Sequence, residues 1–518
     1  MAAWATLLSP PKPKLSVRLR YMVFVSFALF LGLTITFLRR PDGLSVLPSL
    51  MSPSISPEPK DTKPPAPKYK TPSRLKAAPP VVDNFPLALA ANSKSDLPPI
   101  PKWAHPPKTH VPEKTPLFIA FTRNWPILQQ AVVSYITAGW PPEDIYVVEN
   151  TGVMDANKLG QLSLQNPFFL NHTRLEMLGV NVLITPTLLT FAQLQNFYIW
   201  TSIVEQWAFF FWSHMDVVVV SWEPKYVEQH PELNLNDPKL AYDGYKSLYA
   251  DCVDALRAIL DTKDPETGMT QRWDMQFFWY DQLTLVNVEA FKEVGGWDTQ
   301  IPFYATDCDM YARLEMAGYR TKDGPAGHLW DVGSPLKDLI VLYRKKSGPG
   351  GRKIPEVDFV DLEAMTDVLE GKAESEKQAT HASRDNLGTI HPRDPDGDVG
   401  NIASDAKIKH RRSNSTSSDS WEDDRLDSDL YKNLLNTLGT MQEAKAHSSR
   451  GRNTWQGRQQ GGEGEPFYRD SEGFELALRM TMDHGRAVFR EKWGHRDCDL
   501  LQQGLKADDA WRVEHDWE

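Results

Sequence analysis

The run FFFWSHMDVVVVSWEP, residues 209–224, is apolar on both sides of a four-residue break, Ser213-His214-Met215-Asp216. Val217–Val220 is β-branched throughout and is predicted to be a buried strand. His214 and Asp216 stand two residues apart, so in extended backbone their side chains point the same way. Two readings are open for the pair. They are ligands of a divalent cation, or they are polar residues making local hydrogen bonds at a strand end.

Working outward, LFIAFT (117–122), DIYVVEN (144–150) and NVLIT (181–185) read as short buried strands. Between the first two, Ile127, Val132, Tyr135 and Ile136 recur at helical spacing, and Pro126 suits a first helical turn. LLTFAQLQNFYIWTSIVEQWAFFF (188–211) reads as a long buried helix running into the next strand, and VVVV closes the pattern. Strands alternating with helices predict an α/β fold with a mostly parallel sheet flanked by helices on both faces. Such sheets bind ligands at the carboxyl ends of their strands, where FTRN, VVENTG and SHMD all fall.

A second aromatic and acidic segment follows, GGWDTQIPFYATDCDMYARLEMAGY (295–319). Asp307 and Asp309 sit at or in the first turn of a helix whose apolar face includes Met310, Leu314 and Ala317. The helix dipole alone favours acids there. The functional alternative is that one carboxylate is a general base taking a proton from a hydroxyl. Arg313, four residues after Asp309, is placed to pair with it. Trp297 is either a platform for a sugar ring or a core residue.

The chain has 518 residues and a formal net charge of −11. Residues 1–110 hold 15 Lys+Arg against 5 Asp+Glu, or +10, so the remaining 408 residues carry −21. An acidic body excludes the basic face of a nucleic-acid binder. Three cysteines, Cys252, Cys308 and Cys498, allow at most one disulfide and leave its partners open. Two acids beside Cys308 argue against a nucleophilic thiolate.

Tyr21–Leu38 is an uncharged apolar run long enough to cross a bilayer. It has no small-residue cleavage site before Arg39, and basic residues precede it, so it reads as a signal anchor with residues 1–20 cytoplasmic. Asn171-His172-Thr173 and Asn414-Ser415-Thr416 are sequons compatible with a lumenal body. Residues 39–112 read as a proline-rich disordered stem, 113–345 as the catalytic domain, and 346–465 as a low-complexity, mostly disordered insertion with a short helix at DLYKNLLNTLGTMQEA (429–444). Residues 466–518 read as a helical segment that packs back on the catalytic domain.

In this order the motifs resemble those of GT-A-fold glycosyltransferases, nearest the family 2-like and β-1,4-galactosyltransferase-like groups. The resemblance spans about Thr115 to Lys345 and resumes at FREKWG (489–494). It implies a type II membrane enzyme of the Golgi or endoplasmic reticulum. Such an enzyme moves a sugar, of the hexosyl or N-acetylhexosaminyl type, from a nucleotide-sugar to a glycan or protein hydroxyl with inversion, UDP being the expected nucleotide. By the match Asp307 is the catalytic base and Asp309 the second acid. Thr122, Arg123, Glu149, Asn150 and Asp216 bind the donor. His214, Asp216 and His328 (in GHLWDVGS, 327–334) hold Mn²⁺ or Mg²⁺, and Trp297 and Tyr304 face the acceptor. His495, in KWGHRD, is either a surface residue, the preferred reading, or a competitor of His328 as a ligand. Two positions depart from the pattern: His214 replaces the first acid of the D-x-D motif, and Thr306 replaces the glutamate before the base. These departures keep open an inactive relative that binds nucleotide or glycan. A nucleotidyltransferase and a membrane-tethered interaction protein are further alternatives.

Overall fold

The computed structural model describes residues 66–68, 80–100, 104–222, 246–264, 267–345, 347–348, 352–360, 428–448, 464–466 and 471–517. The chain divides into two compact units, Met1–Pro72 and Ser73–Glu518; of the first only residues 66–68 are described, and everything below concerns the second. The expected anchor Tyr21–Leu38 and the first part of the expected stem lie outside the described residues; the last part of that stem is not disordered, since residues 80–100 and 104–112 are ordered and Phe85, Ala88 and Leu97 pack in the main core. Among those described, no helix is long and apolar enough to cross a membrane.

The elements run α1 (Pro86–Ala90), β1 (Leu117–Phe121), α2 (Trp125–Thr137), β2 (Ile145–Glu149), α3 (His172–Leu178), β3 (Asn181–Ile184), α4 (Phe191–Val204), β4 (Phe209–Ser213) and β5 (Val217–Val220). They continue with α5 (Leu248–Asp261), β6 (Trp273–Phe278), β7 (Leu283–Asn287), α6 (Val288–Glu293), α7 (Thr306–Met316), β8 (Arg320–Asp323) and β9 (His328–Asp331). A 3₁₀ turn at Leu339–Tyr343, a small hairpin of β10 (Ser347–Gly348) and β11 (Arg352–Lys353), α8 (Ser428–Ala446) and α9 (Ser471–Trp493) complete them.

Seven strands form one sheet in the order β3-β2-β1-β4-β7-β6-β8. Every neighbouring pair is parallel except β4–β7 and β6–β7, so β7 alone runs against the rest. The predicted α/β architecture is therefore present, but the opening stretch divides differently from its reading. Phe209–Ser213 is the sheet strand, and α4 ends before it. Val217–Val220 leaves the sheet and pairs with β9 in a separate antiparallel ribbon. A short aromatic run fits the end of a buried helix as well as a strand, because hydrophobic periodicity does not separate the two.

Strand alternation sorts the core into two layers. Leu117, Ile119 and Phe121 of β1 and Phe211 of β4 face a core shared with α2, α5, β5, β9 and α8. Phe118, Phe210 and Trp212 face the other layer, with α4, α6 and α7. Helix α8 runs for 19 residues inside the expected insertion, a longer helix than the one read there. It places Tyr431, Leu434, Leu438 and Met441 in the first core at a spacing of three and four. Each such side chain gains about 1.5–3 kcal/mol by burial, enough to hold the helix although polar sequence flanks it. Helix α9 packs through Phe489 and Trp493 on Ile301 and Ala312, and the disulfide Cys308–Cys498 ties α7 to the segment after it.

Candidate active site

The loops after β1, β2 and β4 and the β6–β7 connection all open at one edge of the sheet. Register fixes the meeting point, because Ser213 at the end of β4 lies opposite Leu283 at the start of β7. The Ser213 hydroxyl donates to the Gln282 carbonyl at 2.7 Å, which pins the Trp279–Gln282 turn beside His214. Several non-glycine residues around this edge have left-handed backbone: Asn124 (φ 78°), Trp279 and Tyr280 (both φ 57°) and Ala305 (φ 70°). Each costs about 1 kcal/mol or more, and such strain gathers where side chains must be held for use. Asn124 begins α2 and Ala305 begins α7, so two of the helices that start at this edge do so from left-handed residues.

Asp307 and Asp309 part company here. Asp309 is fully buried. Its carboxylate accepts from Arg313 Nε at 2.9 Å and from the Trp493 indole N–H at 3.0 Å, and pairs with Lys492 Nζ at 2.7 Å. It is a clamp between α7 and α9 with no capacity left for substrate, which corrects its expected role as second catalytic acid. Asp307 is half-buried. Burial pushes its carboxyl above the ordinary aspartate range; the backbone N–H groups of its own turn pull it down, and the Asp281 charge raises it further.

Asp281 links Asp307 to the stretch quoted first. Its Oδ2 lies 3.6 Å from His214 Nε2. Burial would lower the His214 imidazole, but Asp281, and behind it Asp216 and Asp331, hold it above its ordinary value. Asp216 and Asp331 stand side by side where the β5–β9 ribbon begins: Val217 pairs with Asp331, and Val332 N–H donates to the Asp216 carbonyl at 2.8 Å. Lys445 of α8 reaches both carboxylates, at 2.6 Å from Asp216 Oδ2 and 2.5 Å from Asp331 Oδ1.

The three expected metal ligands do not fit a cation. His328 pairs with Val220 at the far end of the ribbon. That is three strand rises from Asp331, or on the order of 10 Å away from the Asp216 end. It packs instead among Trp222, Trp330 and Tyr431. His214 turns to Asp281, and Asp216 is taken by Lys445. Among the described residues no group of three or more His, Cys, Asp or Glu is arranged to hold a metal ion. His495 does not supply the missing ligand, since it pairs with Asp499 at 2.7 Å and with Asp516 in the C-terminal segment.

The expected donor residues are near the edge but mostly turned inward. Glu149 is buried and accepts from Asn157 Nδ2 at 2.7 Å and Thr151 at 3.3 Å, with His172 Nε2 also at 2.7 Å. Asn150 clips the chain at Leu189, donating to its carbonyl at 2.9 Å and accepting from its N–H at 2.7 Å. These two organise loops rather than face a ligand. Thr122 is half-buried. Arg123 is buried under the Phe474 ring of α9, its guanidinium carbon 4.2 Å from the ring centroid. Its Nε and one terminal nitrogen have no hydrogen-bond partner among the described residues. Burial, against the nearby Glu475 charge, lowers it to about 10.

Of the expected acceptor residues, Trp297 is core, edge-on to Phe191 and Tyr311 and stacked near Phe291. Tyr304 is exposed, with Arg486 of α9 over its ring at 4.8 Å. Helix α9 comes close at Gly485, where a Cβ would meet Pro302 at 3.1 Å. Sequence reasoning missed Trp279 and Tyr280, both more than half exposed at the strained turn. Their signal was available: two aromatics and an acid, WYD, directly after a buried strand. Lys445 and Asp331 gave none, because Lys445 lies 229 residues from Asp216.

No protein-family model matches the chain, and no curated protein matches it. Among solved structures it is similar to a mannosyltransferase from Pyrobaculum calidifontis in complex with GDP-Man and Mn²⁺, at 12% identity and a TM-score of 0.23, over 43% of this chain and 59% of that one. It is also similar to a cytidylyltransferase from Leptospira borgpetersenii serovar Hardjo-bovis, at 9% identity and a TM-score of 0.22, over 41% of this chain and 76% of that one. The chain thus spans about three-fifths of the mannosyltransferase's length. Scores this low carry no weight for function, and the reading that follows rests on the chain's own residues.

Proposed function

We propose that this chain is a glycosyltransferase that moves a sugar from a nucleotide-sugar to the hydroxyl of a glycan or protein, with inversion. The observation that carries the reading is Asp307. It is a half-buried carboxylate with a raised pKa, at a strained helix start on the ligand edge of a mostly parallel sheet, where a base of this kind is useful. In this reading the acceptor hydroxyl oxygen attacks the anomeric carbon as its proton passes to Asp307. The bond from that carbon to the diphosphate breaks, and the nucleoside diphosphate departs. Trp279, Tyr280 and Tyr304 offer aromatic surface for a sugar ring at the same edge. The motif order of the sequence supports a nucleotide-sugar, and UDP is our choice of nucleotide. The apolar run Tyr21–Leu38 and the disulfide Cys308–Cys498 support an anchored protein facing an oxidising lumen, that of the Golgi or endoplasmic reticulum.

The test is a panel of nucleotide-sugars scored first by thermal shift and then by turnover, with wild type beside Asp307→Asn. Transfer or hydrolysis by wild type that disappears in Asp307→Asn supports the assignment. An Asp307→Asn protein of undiminished activity removes Asp307 as the base. The packing of α9 over Arg123 and Tyr304 favours one second reading, a chain that binds nucleotide or glycan without turnover. A thermal shift with no turnover of any sugar would select it.

A further inference from the structure

Two carboxylates side by side at the ligand edge of an α/β sheet ordinarily invite a divalent cation. Here the place between them is filled by the protein. The Lys445 side chain is 3% exposed, and those of Asp216 and Asp331 are 11% and 12% exposed. Its ammonium makes charge-assisted hydrogen bonds to both, the strongest class available to it.

The lysine is not a loose surface side chain that happened to fold inward. It sits in the last turn of α8, where the helix dipole favours a cation. One turn earlier, Gln442 Oε1 accepts from the Asp331 N–H at 3.1 Å, so two residues on one face of the helix grip the same aspartate. At the other end of α8 the Tyr431 hydroxyl donates to the Ser221 carbonyl at 3.2 Å, just beyond β5. Between these polar contacts the helix is held by its apolar residues in the main core. An entering metal ion would have to displace the ammonium and lift this packing.

We propose that Lys445 is the resident cation of the Asp216–Asp331 pair, closing it to divalent metal, so that this chain binds its nucleotide ligand without one. The nucleotide half of this statement rests on the transferase reading; the metal half does not.

The test uses the full chain and Mn²⁺ alone, followed by electron paramagnetic resonance of the free aqueous ion. Wild type is expected to show no Mn²⁺ binding that depends on Asp216. Lys445→Ala is expected to gain one site, tighter than anything in wild type by about tenfold or more, and Asp216→Asn on top of it should abolish that site. Mn²⁺ binding by wild type that Asp216→Asn removes would overturn the proposal. So would a folded Lys445→Ala protein that gains nothing. Should Lys445→Ala fail to fold, the comparison of wild type with Asp216→Asn decides alone. Separately, UDP and GDP are offered to wild type with EDTA or with Mn²⁺. Equal thermal shifts support the proposal, and a shift that requires Mn²⁺ overturns it. No shift in either buffer counts against the transferase reading, and the metal titration still decides the lysine.

Discussion

Two acids of the candidate site meet a lysine delivered by a late helix, and they end in opposite conditions. Asp309 meets Lys492 of α9 together with Arg313 and the Trp493 indole, so one carboxylate has three donors around it. Asp216 meets Lys445 of α8 but shares it with Asp331, so two carboxylates divide one ammonium. The first arrangement is saturated and serves packing. The second joins two acids through one ammonium and stands at the ligand edge with His214 and Asp281 beside it. Asp307 is two residues from Asp309, yet among the described residues no lysine pairs with it. The lesson is that saturation of its lone pairs, more than position in a motif, separates a structural acid from one free to react.

The sharpest break of this contrast is within α7. Asp307→Asn is expected to lower sugar turnover by about a hundred- to ten-thousand-fold while leaving the melting temperature near that of wild type. Asp309→Ala should do the reverse: it takes the shared acceptor from Arg313, Lys492 and the Trp493 indole, leaving Lys492 to Asp298 and Arg313 to the Val294 and Gly296 carbonyls, and costs about 1–3 kcal/mol in denaturant unfolding. If Asp309→Ala unfolds like wild type, the clamp between α7 and α9 is not a clamp.

Next in size is the covalent partner of that clamp. Replacing Cys308 and Cys498 together by serine should cost about 2–4 kcal/mol, read by the same denaturant titration. Limited proteolysis of the double variant is expected to show a cut in or after α9 that wild type resists.

The smallest effect concerns an acid that meets no cation among the described residues. Asp274 of β6 is 1% exposed, accepts from the Met275 N–H and the Thr321 hydroxyl, and is pushed up to about 6 by burial. Because its folded value is raised, the fold loses stability as pH climbs from the ordinary carboxylate range to about 6, and above that the loss is constant. Asp274→Asn should therefore be more stable than wild type at pH 8 by about 2–3 kcal/mol, with the difference fading below pH 4. Melting curves of both proteins across that range check the sign.

Much of the architecture was legible in the sequence. LFIAF, IYVVE and NVLI are short, apolar and bounded by turn residues, and each is a strand where expected. The Asp309–Arg313 pair followed from helical spacing alone. What could not be read was anything decided by distant packing. FFFWS and VVVV both look like sheet core, and only the pairing of β5 with β9 shows which one leaves. Glu149 and Trp297 have the residue types of a binding site, but their neighbours turn them inward. The ammonium at Asp216 comes from a helix more than two hundred positions later, and no local pattern points to it.

The sulfur bridge between Cys308 and Cys498 spans 190 positions and therefore closes a ring of chain. Helix α8, with Lys445, and all of α9 lie inside that ring. A protease that nicks the chain anywhere between the two cysteines opens the ring without releasing either fragment. The nicked protein would run as one band on a non-reducing gel and as two only after reduction. Maturation by cleavage in the long polar stretch before α8 is thus compatible with keeping every helix of the site in one molecule.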